Sequence, residues 1–139
     1  MAGAFLVGRI LVGCYFLMNA FHHFTQFRQL APHAAAHGVP APEVAVLGAG
    51  VLLLVAGLSF LLGVFPRLGV AAIVAFLVPV TLVMHAFWTD RDPTVRMNDF
   101  INFTKNVALL GSSLMFLAVP RPWPYSLERR LRLPVRALV

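Results

Sequence analysis

The sequence predicts an all-α fold: an integral membrane four-helix bundle with both termini cytoplasmic and a short basic interfacial segment at the C-terminus. Three observations predict it. Of the 139 residues, 60% are hydrophobic and only 12% charged, whereas about a quarter of the residues in soluble domains carry charge. Four apolar windows lie near residues 4–27, 44–65, 68–88 and 100–119, each long enough to cross a hydrocarbon core of roughly 30 Å. The charges also sort by side. Arg9, Arg67, Arg121, Arg129, Arg130, Arg132 and Arg136 fall at the terminal side with only Glu128 among the acids, while Arg28, Arg91, Arg96 and Lys105 are balanced opposite by Glu43, Asp90, Asp92 and Asp99. An excess of positive residues marks the cytoplasmic side. The length suits one domain, residues 1–139.

The first window opens with Arg9 and then runs apolar. It reads as a true span rather than a cleaved signal, because bulky "FLMNAFHHF" stands where a signal peptidase needs small residues. Cys14 is the single cysteine, so the chain has neither a disulfide framework nor a C-x-x-C redox pair. The second and third windows carry no charge. Pro32, Pro40 and Pro42 predict a loop between the first two spans, Pro66 a short turn, and Pro93 the last connection. Pro79 lies inside the third span, where it removes a backbone hydrogen bond and predicts a kink. Glycines recur at 8, 13, 48, 50, 57, 63 and 111; small residues let membrane helices approach closely, within one chain or in a homo-oligomer.

The net charge of +6 comes largely from arginines on the terminal side, which suit anionic lipid head groups. Nothing in their pattern points to nucleic acid. In the tail, "RPWPYSLERRLRLPVR" sets Trp123 and Tyr125 at an expected aromatic belt, before a basic stretch on the membrane surface.

Polar groups within the spans define the candidate site. All five histidines, His22, His23, His33, His37 and His85, fall in the half away from the termini. On the first helix Tyr15, Asn19, His22, His23 and Gln26 share an arc of roughly 100°. On the fourth, Asn98, Asp99, Asn102, Lys105 and Asn106 share about 120°. His85 is expected to share a face of the third helix with Thr81, Trp88 and Thr89. With the fourth span entering near Asn98, Lys105 lies about 10 Å inside. Polar groups at such depth should face one another in the bundle interior. The expectation is a polar pocket open to the extracytoplasmic side, lined by Asn19, His22, His23, His85, Trp88, Asn102, Lys105 and Asn106. Each member also has a structural reading: His33 and His37 as interfacial residues, Asn102 and Asn106 as interhelical glue, Trp88 as an interface anchor.

The stretches "GRILVG", "HGVPAP", "GLSFLLGVFPRLG", "FLVPVTLVMHAFW" and "DPTVRMNDFINFTKNVALLGSSLMF" together resemble the DoxX family of small four-span bacterial membrane proteins. The resemblance implies a multi-pass protein of the bacterial plasma membrane. It also implies, for some relatives, a link to thiosulfate oxidation with quinone as acceptor, or to membrane oxidoreductase complexes and oxidative-stress responses. By position it marks Arg9, Pro79, His85, Trp88, Pro93, Arg96, Lys105 and Asn106, with no catalytic role attached to any of them.

Three functions compete at this stage. A quinone-linked membrane subunit would use His22 or His85 as hydrogen-bond donors and proton carriers, Lys105 and Asn102 to steady charge, and Phe21, Phe24, Phe87 and Trp88 around the ring. A metal or b-type haem between His22 or His23 and His85 is weaker, because the chain has no ligand-spacing motif and adjacent histidines point about 100° apart on a helix. A structural, assembly or chaperone-like protein would use the polar stripe to hold its own helices or grip another membrane or redox protein. No nucleotide loop or nucleophile arrangement is present.

Overall fold

A computed structural model of the chain describes residues 1–131. Its helices are α1 (Ala2–Thr25), α2 (Phe27–Ala36), α3 (Pro42–Leu62), α4 (Pro66–Met84), α5 (Pro93–Met115), a 3-10 turn (Phe116–Ala118) and α6 (Leu127–Leu131). No strand occurs among the described residues. Four segments are long and apolar enough to cross a membrane: α1, α3, α4 and Pro93–Ala118. Arg132, Leu133 and Arg136 of the expected basic tail lie outside the described residues.

Proline sets most of the helix starts. Pro42, Pro66 and Pro93 each stand in the first turn of a helix, where the missing N–H would have no partner in any case. Asp92 caps α5 by accepting from the backbone N–H groups of Thr94 and Val95 at 2.8 and 3.0 Å. Between α3 and α4 the chain reverses through Gly63 at φ +67, a left-handed position that glycine adopts without strain.

Two expectations about the connections are corrected. The segment from residue 27 to 36 is a helix, not a loop, and Pro32 lies inside it. Its buried Ala31 and Ala34 pack on Val46 of α3, with Leu30, Val39 and Met84 around them, so α2 lies across the end of the bundle away from the termini. The third span ends at Met84, short of Trp88. His85 is therefore a helix-terminating residue, and Trp88 and Thr89 do not continue its helical face.

Helix order in space follows the chain: α1 packs on α3, α3 on α4, and α4 on α5. The α1–α3 seam is the closest. Gly13 and Gly57 face each other there, and a Cβ on Gly57 would lie 3.0 Å from the Gly13 carbonyl oxygen. In lipid, apolar burial gives little reward for association, so such close approach supplies the attraction.

No comparable seam joins α1 to α5. The first and last spans meet at the terminal end, where Phe5 packs edge-on against Phe116 (6.0 Å) and Trp123 (5.1 Å). Trp123 is 1% exposed, which corrects its expected place in a surface aromatic belt. Arg9 is likewise no part of an exposed arginine collar: it is 2% exposed. Its guanidinium lies 5.9 Å from the Trp123 ring centre, and Nη2 donates to the Tyr125 carbonyl at 2.7 Å. Nearby in sequence, Arg121 forms a forked pair with Glu128 at 3.0 and 3.1 Å. The bundle is closed at the terminal end and open at the other.

Candidate functional site

The open end holds a cavity of about 700 Å³ between α1 and α5, backed by α3 and α4 and roofed by α2. Its walls are mostly apolar, from Phe16, Leu52, Leu53, Phe76, Leu77 and Val80. Pro79 also lines it. Five residues of the expected pocket line this one space: Asn19 and His23 from α1, His85 from the end of α4, and Lys105 and Asn106 from α5.

The other three do not. His22 is exposed, because one helical step turns it about 100° from His23. Trp88 is 53% exposed and packs edge-on against Phe87 and Phe103, since α4 stops before it. Asn102 is half-buried outside the cavity wall and accepts from Lys105 Nζ at 2.8 Å.

Helix packing sets the height of His23. A Cβ on Gly50 would lie 3.2 Å from His23 Cβ and 2.9 Å from the Phe24 ring, so a bare glycine lets this stretch of α1 lie down on α3. The His23 ring then stands edge-on to Phe76 at 5.7 Å. Its Nδ1 lies 2.8 Å from the Asn19 carbonyl oxygen. A carbonyl only accepts, so Nδ1 carries the hydrogen and the neutral ring keeps Nε2 as its free acceptor.

His85 has a stronger partner. Its Nδ1 lies 3.1 Å from Asp99 Oδ1, with the two side chains 22% and 17% exposed. A carboxylate there fixes the Nδ1–H tautomer and orients the ring, again leaving Nε2 free. The sequence placed Asp99 on the polar arc of α5 but gave no sign of this pair, since the residues are joined only through the turn after α4. His33, expected at the surface, is exposed yet also lines the cavity; the signal for it was the helical register of α2, hidden by Pro32.

Lys105 lies near the middle of the candidate spanning segment Pro93–Ala118, about 18 Å along the helix axis from its first residue and about 20 Å from its last. It is exposed, and among the described residues its side chain bonds to the Asn102 amide and to no carboxylate. Among the described residues no three His, Cys, Asp or Glu side chains converge as a metal-binding set.

The family model for DoxX matches residues 4–86, more than half the chain. The chain belongs to the DoxX family. No curated protein and no solved structure matches it. The DoxX match takes in Asn19, His23 and His85 and stops before α5. Lys105 and Asn106, which complete the cavity wall, and Asp99, the partner of His85, lie beyond it. As a DoxX protein with four candidate spans, the chain is a multi-pass membrane protein whose helices contact lipid.

Proposed function

We propose that this DoxX protein is a quinone-binding membrane subunit of an oxidoreductase system, set in the bacterial plasma membrane with both termini cytoplasmic and its cavity toward the extracytoplasmic side. The observation that carries the reading is the mostly apolar cavity of about 700 Å³ with His85, held by Asp99, at its wall. Its volume falls within the range of about 300–1,000 Å³ usual for small-molecule sites, as does its pattern of few polar groups on apolar walls. The excess of arginine at the terminal end supports the orientation.

A quinone accepts two electrons, supplied here by a redox partner, and two protons. The residues of the chain handle the protons and the charge. His85, oriented by Asp99, presents Nε2 to the cavity as the atom that takes up or hands over a proton. Lys105 Nζ supplies a positive charge at the opening, and Asn19 and Asn106 supply amide groups for carbonyl or hydroxyl oxygens. The gap between α1 and α5 gives a long apolar tail a way into the bilayer. Solvent extraction and mass spectrometry of protein purified from quinone-replete membranes should find bound quinone near one per chain, reduced in His85→Ala and Lys105→Ala. Quinone-free protein from such membranes overturns the reading.

One observation favours a second, non-enzymatic reading as a structural or assembly protein. An exposed lysine near the middle of a membrane helix costs about 2.5–3.5 kcal/mol against lipid, and a partner helix carrying an acid along the α1–α5 gap would remove that cost. Under this reading Lys105→Ala abolishes co-purification of a membrane partner while leaving small-molecule content unchanged.

A further inference from the structure

A second recess, of about 350 Å³, lies where α5 begins, lined by Phe87, Arg91, Pro93, Arg96, Met97 and Phe100. The placement of Arg96 is the anomaly. It stands in the first turns of α5, where the positive end of the helix dipole disfavours a cation. No hydrogen bond or ion pair compensates: neither the Arg91 nor the Arg96 side chain has a partner among the described residues. The nearest acids in sequence are otherwise placed. Asp92 is committed to capping through Thr94 and Val95, Asp99 to His85, and Asp90 does not line the recess. Two free guanidinium groups and a helix N-terminus thus share one hollow.

The rest of the hollow is greasy. Phe87 packs edge-on with Phe100 at 5.2 Å, and Met97 and Phe100 are 59% and 45% exposed on the outward side of α5. The recess sits at the start of the candidate span Pro93–Ala118, and the end of a span is where a bilayer changes from acyl chain to head group. A soluble anion would be served by the arginines alone. An apolar wall that continues down the helix from the charged site fits a molecule with a charged head and an acyl chain.

We propose that Arg91 and Arg96 form a binding site for the phosphodiester of an anionic phospholipid, with an acyl chain laid against Met97 and Phe100. Each guanidinium presents a planar fork of N–H donors that matches two phosphate oxygens, and a head group with no cation of its own leaves the negative charge uncancelled. The site is separate from the cavity and does not depend on what the cavity binds.

The test is native mass spectrometry of the full chain in detergent, titrated with phosphatidylglycerol or phosphatidylcholine. One phosphatidylglycerol should be retained under activation that strips phosphatidylcholine, and Arg96→Gln should weaken that retention about tenfold. Arg96→Lys, which keeps the charge but loses the fork, should fall between the two. Unfolding measured without added lipid should be alike for all three proteins, separating loss of the site from loss of the fold. Equal retention of the two lipids, or unchanged retention in Arg91→Gln/Arg96→Gln, overturns the proposal. So does displacement of the lipid by millimolar inorganic phosphate, which would identify a site for the free anion.

Discussion

Replacing Gly57 by alanine tests whether close backbone approach holds α1 to α3. The new Cβ would lie 2.7 Å from Leu17 Cγ, 2.8 Å from Leu17 Cδ2 and 3.0 Å from the Gly13 carbonyl oxygen, against an optimum of about 3.5–4.0 Å between carbons. Leu17 can turn aside, but the Gly13 oxygen is backbone and moves only with its helix. Overpacking of this kind costs about 1–3 kcal/mol, and alanine recovers about 0.5–1 kcal/mol of helix preference, leaving a net loss of up to about 2.5 kcal/mol. Gly8, Gly48 and Gly111 are internal controls, since a Cβ at each would meet nothing within 4 Å. Alanine there should be neutral or stabilising by about 0.5–1 kcal/mol. Reversible unfolding in mixed micelles, followed by the fluorescence of buried Trp123 in a Trp88→Phe background, measures both signs. A Gly57→Ala protein as stable as Gly8→Ala would refute the close-packed seam.

Removing the α5 cap with Asp92→Ala should cost about 1 kcal/mol in the same assay, with faster amide exchange confined to the first turn of α5. Arg9→Ala removes a charged hydrogen bond to the Tyr125 carbonyl and should cost about 2 kcal/mol, with Trp123 emission moving to the red; unchanged emission would place Trp123 outside the influence of Arg9. Asp99→Ala should leave the fold intact but release the His85 tautomer, seen by nitrogen NMR of the imidazole as a shift from the Nδ1–H form toward a mixture. His22→Ala should leave small-molecule content untouched, because the ring faces away from the cavity.

The four spans were legible because hydrophobic length is a one-dimensional property. Polar arcs were legible for a related reason: Asn19 and His23, or Lys105 and Asn106, share a wall through helical geometry alone. Failure came where the outcome depended on which helix faced which. Trp123 and Arg9 read as surface residues by type, since an arginine near a span end usually meets head groups. Only the meeting of α1 with the segment after α5 buries them, and that contact joins residues more than a hundred positions apart. The end of α4 failed differently. Apolarity continues through Phe87 and Trp88, yet the helix stops at Met84, and no proline or glycine between residues 84 and 88 announces it. That early stop turns His85 away from a helical face and toward Asp99.

Packing and polarity are divided between the two ends of the molecule for one physical reason. At the terminal end Phe5, Phe60, Phe116 and Trp123 fill the space between α1 and α5, so the spans converge on aromatic volume. At the other end the facing residues are Asn19 and His23 on one side and Lys105 and Asn106 on the other, and among the described residues no hydrogen bond joins the two sides. Polar groups of this kind meet their hydrogen-bonding needs locally, as His23 does with the Asn19 carbonyl and Lys105 with the Asn102 amide, and so do not draw the helices together as an apolar seam would. Glycine at 13 and 57 anchors α1 to α3 and so prevents α1 from swinging across to close the gap. The cavity thus follows from where the small residues and the large aromatics were placed, and His85, held from behind by Asp99, stands at the part of its wall that helix packing does not fill.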